Sequence, residues 1–226
     1  MTQDCSVGIA MDASNLGGQT ILPEILNPAS RWLFRYWESI RGEQCAAPRS
    51  RVEISPLRQQ LPWIFIAERA VEGNLHPLRL AGTEICRLWG QNMTHKCLFA
   101  SWSKFERDTM AGLFDGVLND NQPFVMRVRA RSAFGNSVSL EILGVPVVDD
   151  RTGAKQILGL VIPFRIPEWL GCDQLVAFEL SAVRIIWTDA VPQQPVLLHP
   201  QRVAGGRKKP RLSIIRGGKD KATRPA

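Results

Sequence analysis

The sequence predicts an α+β domain: a five-stranded antiparallel sheet with helices inserted between its second and third strands, preceded by an amphipathic helix. Three observations predict it. Helical spacing of apolar residues marks two segments, 28–41 and 103–119. Two strand-like runs lie between them, and after Pro123 the apolar period changes to two. Long strands separated by polar turns then continue to residue 164.

Taken in order, residues 1–26 mix Gly, Asn and Asp without periodicity and read as a flexible leader. Asn27-Pro28 offers a cap and a first-turn proline. Trp32, Leu33, Tyr36, Trp37 and Ile40 follow at helical spacing, and Gly42 ends the helix. A Pro-bearing connector, 46–56, leads to a single turn at Leu57-Arg-Gln-Gln. Strands are expected over 63–71 and 75–81, joined by a hairpin at Glu72-Gly73-Asn74, whose residues tolerate left-handed backbone. A short helix over 83–89 stops at Gly90, and 91–103 is irregular. The helix over 103–119 has Ser103 as its cap and Phe105, Met110, Leu113, Phe114, Val117 and Leu118 as its apolar face.

Beyond Pro123, Phe124, Met126, Val128 and Ala130 alternate with Val125, Arg127, Arg129 and Arg131, the pattern of a half-exposed antiparallel strand. A turn at Gly135-Asn136 leads to a long strand over 137–148. A polar turn over 149–154 leads to an almost wholly apolar strand over 156–164. A helical turn is expected over 169–175 and an additional strand over 178–187. The organisation is thus a leader (1–26), helix and connector (27–56), an α+β core (57–165), an extension packing on or beside the sheet (166–191), and a flexible basic tail (192–226).

The chain has 226 residues, 45% hydrophobic and 22% charged, which excludes a collagen-like or wholly disordered protein. Its net charge of +7 is unevenly placed. Residues 201–226 carry nine Lys or Arg against Asp220, a net +8, and the first 200 residues come to −1. The longest apolar run, 157–164, is eight residues, too short for a membrane helix. The N-terminus lacks the basic and apolar regions of a secretory signal, and five widely spaced cysteines suggest reduced thiols. A cytoplasmic location is expected.

No Ser-His-Asp grouping, carboxylate dyad or phosphate loop can be assembled by spacing, so no catalytic residue is assigned and the chain is not read as an enzyme. No metal site is assigned and no cofactor is named: His95, Cys97 and Cys86 lack the paired short spacings of zinc ligands. Arg79 and Glu141 lie on strands and suggest either a buried pair or ligand clamp, or two solvent-facing charges, the latter preferred. Arg127, Arg129 and Arg131 form one basic strand face, which could read phosphate or nucleic acid but is also ordinary for the exposed side of an antiparallel strand, the latter preferred. The segment holding Arg207, Lys208, Lys209 and Arg211 is the stronger electrostatic feature, able to contact nucleic acid, lipid or an acidic partner, or merely to solubilise.

Several residues, taken with the order of elements, resemble a PAS domain, and specifically small stand-alone bacterial PAS proteins whose core follows a Trp-containing helix. The matching residues are Trp37 and Arg41; Pro48 and Arg51; Ile54, Pro56 and Leu61-Pro-Trp63; Leu78-Arg-Leu-Ala-Gly-Thr83; Leu88-Trp-Gly90 with Thr94; Glu141; and Ile157–Pro163. They span about residues 28–165, and His95 stands where the pattern expects glycine. The resemblance implies a PAS-like sheet and a sensory or regulatory module that acts through dimerisation, a signalling partner and a small apolar ligand. The alternative is a nucleic-acid-associated protein binding through the basic tail. Trp32, Tyr36, Trp37 and Arg41 are candidates for docking the helix or forming a dimer seam, with docking preferred for Trp37 and Arg41. Arg79, Trp89 and Phe114 are candidates for lining a ligand pocket. A haem site at His95 is the third reading, since haem-binding PAS domains place a histidine in this region.

Overall fold

Asn27 starts the first helix as its spacing predicts. In the computed structural model, which describes residues 24–69 and 75–188, its side chain accepts the Ala29 N–H at 2.9 Å. Pro28 fills the first turn, and Gly42, at φ 59°, stops the helix (α1, Pro28–Arg41). The chain then makes a two-residue strand (β1, Ala47–Pro48) and a four-residue helix (α2, Ile54–Leu57). Next come β2 (Ile64–Ala67), β3 (Leu78–Ala81), α3 (Thr83–Leu88) and α4 (Lys104–Asp120). The long strands β4 (Phe124–Ser132), β5 (Ser137–Val148), β6 (Lys155–Pro163) and β7 (Leu175–Ile185) complete the fold.

The sheet order is β3-β2-β6-β5-β4-β7, all antiparallel, and β1 pairs parallel with the end of β5. The five expected strands are β2 to β6, with α3 and α4 between the second and third of them. Two strands are added at the margins. β7 lengthens the sheet beyond β4, so the extension after residue 165 continues the sheet. It begins at Leu175, and the helical turn expected over 169–175 is instead a pair of tight turns joined by a Leu170–Asp173 bridge. β2 and β3 are shorter than expected, and the predicted hairpin at Glu72-Gly73-Asn74 lies outside the described residues.

Strand alternation divides the sheet into two buried faces. Phe124, Met126, Val128 and Ala130 of β4, Leu140 and Ile142 of β5, and Ile157 and Val161 of β6 pack towards α3 and α4. Val125, Leu143, Val145, Val147, Leu158 and Leu160 point the other way, against Leu33, Phe34 and Trp37 of α1. Ile25 joins this second core at 1% exposure, so the end of the expected loose leader belongs to the packed fold. Along β7 the alternation breaks twice, first at Val176, where Ala177 pairs with Arg131 and Leu175 with Ser132, and again at Ser181. Leu180 pairs with Val128 and Ala182 with Arg127, leaving Ser181 as a bulge. The extra residue shifts the parity of the rest of the strand: Val183 and Ile185 pack towards the helical side, and Ala182 and Arg184 take the α1 side.

Three glycines are required by close approach. Gly144 of β5 and Gly159 of β6 are register partners, flanked by Phe124 on β4 and Phe65 on β2. A Cβ at either glycine would collide with the phenyl ring beside it. The row Phe65-Gly159-Gly144-Phe124 therefore lays two rings across the middle of the sheet. Gly82, within the Leu78–Thr83 motif, has the Pro62 carbonyl where a Cβ would stand, and its N–H donates to the Ile64 carbonyl at 2.8 Å. That contact brings together two segments, Leu61–Trp63 and Leu78–Thr83, that the resemblance picked out separately.

Candidate functional site

The space between the sheet and its helices is filled by rings. Trp89, just past α3, stacks on Phe178 of β7 with centroids 4.9 Å apart, and Trp102 stacks on the same phenyl at 5.9 Å. Phe99 meets Trp102 edge-on at 5.1 Å and Phe114 of α4 edge-on at 4.9 Å, and Phe114 reaches Phe124 at 5.1 Å. Offset and edge-to-face pairs of this kind add to the stability gained from burial alone. Of the three residues expected to line a ligand pocket, the structure brings Trp89 and Phe114 into this chain of rings. Arg79 is elsewhere: it points to solvent from edge strand β3 and pairs with Glu68 at 3.6 Å.

The first helix has two chemically distinct faces. Trp37 is fully buried, and its Nε1–H donates to the Pro146 carbonyl at 2.8 Å. The Arg41 guanidinium lies 5.0 Å from the Trp37 ring centroid, a cation–π contact within one helical turn. Trp37 therefore ties the helix to the sheet, whereas Arg41 covers the Trp37 ring from within the helix and reaches only the Gln44 carbonyl beyond it. Trp32 and Tyr36 are half-exposed and stack face to face, centroids 5.4 Å apart and planes 5° from parallel. The Tyr36 hydroxyl accepts the Glu53 N–H at 2.8 Å, placing the ring beside the connector, where Ile54 is 71% exposed.

Glu141 is the residue that sequence reasoning places wrongly. The strand pattern favours solvent exposure, with an Arg79 partnership as the alternative. The structure contradicts both: Glu141 is fully buried on the α1 side of β5, and its two carboxylate oxygens accept the N–H groups of Leu26 at 3.0 Å and Asn27 at 2.9 Å. It fixes the backbone that leads into α1. The signal present in the sequence is its position in the buried run Leu140–Val147.

The connector is tied down at the opposite end of the sheet. Arg49 pairs with Asp149 at 3.4 Å, and Asp150 accepts the Ser50 N–H at 2.8 Å. Amide donors from Arg151 and Thr152, followed by the charge of Arg49, hold the Asp149 carboxyl below its usual range. Hydrogen bonds from Ser50 do the same for Asp150.

His95 sits exposed at φ 64° with its N–H on the Leu78 carbonyl, whereas Cys97 is buried and its thiol pushed up by desolvation. The buried histidine is His76, unassigned by sequence reasoning. Its ring nitrogens face the carbonyls of Glu68 at 3.1 Å and Ala111 at 3.2 Å, tying the end of β2 to α4. Arg207, Lys208, Lys209 and Arg211 lie outside the described residues.

An antiparallel sheet with α3 and α4 on one side, an N-terminal helix on the other and an aromatic interior is the architecture these elements build. The chain matches the family model described as PAS domain over residues 25–162. It belongs to that PAS-domain family, and the matched segment includes α1. Among curated proteins none matches the chain. No helix among the described residues is long and apolar enough to cross a membrane.

Proposed function

We propose that this chain is a bacterial regulatory PAS module of the cytoplasm that works as a homodimer on a signalling partner and performs no catalysis itself. The observation that carries the reading is the division of labour along α1. Trp37 holds the helix to the sheet, and the stacked Trp32–Tyr36 pair beside Ile54 offers an apolar outward surface. Half-exposed aromatics on a docked helix suit a protein interface, because their open faces bury large area at little cost in side-chain entropy. The ring-to-ring packing of Trp89, Phe178, Trp102, Phe99 and Phe114 favours an interaction module over one built around a bulky apolar ligand. The nucleic-acid alternative rests on the +8 of residues 201–226 alone.

Sedimentation equilibrium tests this reading. The wild-type protein is expected to sediment as a dimer. Trp32→Glu should weaken dimerisation about thirtyfold or more, the size of an interface hot spot, while the variant remains folded at the temperature of the measurement. A monomeric wild type, or a Trp32→Glu variant that dimerises as before, contradicts it.

A further inference from the structure

We infer that the outer face of the sheet carries an oxyanion-binding groove between β4 and β7, built around Arg127 and Arg184. The groove has a volume of about 270 Å³ and is lined by Glu24, Val125, Arg127, Ala182 and Arg184. It lies on the α1 side of the sheet, opposite the aromatic interior.

The sequence presents Arg127, Arg129 and Arg131 as one equivalent row; the structure separates them. Arg129 and Arg131 are exposed, whereas Arg127 is half-buried and donates through one guanidinium nitrogen to the Glu24 carbonyl at 3.2 Å. That bond anchors the fork and leaves its other N–H donors available. Arg184 comes from the extension, 57 residues further along the chain. It reaches this face only because the bulge at Ser181 reverses the alternation of β7. In register, Val125 faces Arg184 and Arg127 faces Ala182, so the two arginines are diagonal neighbours on adjacent strands. The small Ala182 and the apolar Val125 form the floor between them.

The hydrogen-bond donors favour an oxyanion. Neither Arg127 nor Arg184 forms an ion pair among the described residues. The nearest carboxylate in register, Glu141, stands opposite Arg127, but both its oxygens are taken by the amides of Leu26 and Asn27. Glu24 lines the groove and Glu141 lies opposite Arg127, so two carboxylates offset the two guanidinium groups, and it is the guanidinium N–H donors rather than a net charge that mark the groove for an oxyanion. Planar guanidinium forks bind carboxylate and phosphate oxygens through paired, charge-assisted hydrogen bonds. The ligand class is therefore a small molecule presenting a carboxylate or phosphate group. Arg127 is anchored on Glu24 in the lead-in of α1, and Arg184 lies near the end of β7, so an anion held by the two arginines couples both margins of the domain.

The test is thermal unfolding of the full chain with inorganic phosphate or succinate, each against sodium chloride of equal ionic strength. A ligand that binds only the folded state raises the midpoint, by about 3–6 °C at tenfold excess over its dissociation constant. One probe or both should do so beyond chloride, and which one acts names the oxyanion. Arg184→Gln, at an exposed position, should abolish the extra shift, and Arg127→Gln should do the same if it folds. Arg131→Gln, on the same strand but outside the groove, should keep it. Equal shifts with chloride and both probes, or a full shift in Arg184→Gln, overturns the inference.

Discussion

Replacing Trp37 by alanine is expected to destabilise the domain by about 3–5 kcal/mol, read as a lower denaturant midpoint with unchanged slope. The whole indole is lost from a fully buried position in the core that joins α1 to the sheet. Its neighbours include Phe34, whose ring lies 5.6 Å away at a 46° tilt. The hydrogen bond to Pro146 goes with it. β4 pairs with β5 as far as Gly144 and the pairing with β1 begins at Val147 of β5, so Pro146, which has no amide hydrogen, sits between two partners on that edge. Trp37 supplies the donor for its carbonyl. Trp37→Phe keeps most of the apolar contact and loses only the donor, for an expected cost of about 1–2 kcal/mol. Arg41→Ala should cost less, about 0.5–1 kcal/mol, because the cation–π contact is half-exposed. A Trp37→Ala variant within about 1 kcal/mol of wild type shows that the helix is not docked in this way.

The second large effect belongs to Glu141. Alanine there removes the acceptor for two backbone N–H groups and opens space in a buried layer, for an expected loss of about 2–4 kcal/mol. Glu141→Gln is the sharper probe. It preserves shape but presents one acceptor oxygen and one NH₂ group to two amides, so one pairing becomes donor against donor. The expected loss is about 1–3 kcal/mol. Hydrogen exchange at Leu26 and Asn27 should accelerate more than exchange within β5 and β6. If exchange at those two amides matches wild type, the carboxylate does not hold the lead-in.

The two variants probe one idea from opposite ends of α1. Glu141 fixes the entry to the helix and Trp37 fixes a later turn, with Leu33 and Phe34 buried between them. A helix pinned at two points presents its outward residues in a constant orientation. That is the physical reason why the stacked Trp32–Tyr36 pair suits the interface proposed for it.

What could be read from the sequence was mostly what is encoded locally. Asn27, Pro28 and Gly42 marked the ends of α1 because capping is a matter of neighbouring residues. The alternation in β4 disclosed its two faces for the same reason. Phe105 shows the limit of periodicity: it falls on the expected apolar face of α4 but is 69% exposed, because the first turn of the helix lies outside the buried interior. The missing features depend on partners remote in sequence. Glu141 is satisfied by amides 114 and 115 residues away, which no strand pattern around it records. β1 is two residues long and exists only because β5 outruns β4.

The site was legible in the same uneven way. Trp89 and Phe114 were found because large apolar residues beside helices seldom escape the core. Phe178, the ring that both tryptophans stack on, was read only as part of a strand, since its role required knowing that β7 docks beside β4. Arg184 was missed for a related reason. Its face is set by the bulge at Ser181, and a single extra residue reverses every assignment after it.

A distance between protomers tests the proposed dimer seam on the outward face of α1. In a background with the native cysteines replaced, a spin label is placed at Arg35, exposed on α1, and in a second protein at Ser101, exposed on the helical side of the sheet. Packing across α1 brings the Arg35 labels of two protomers close together. It leaves the Ser101 labels separated by both sheets and both outer helices, each layer about 10 Å thick. Strong dipolar coupling between Arg35 labels and weak coupling between Ser101 labels is the predicted result. The reverse order, or no coupling between protomers at either position, contradicts the account.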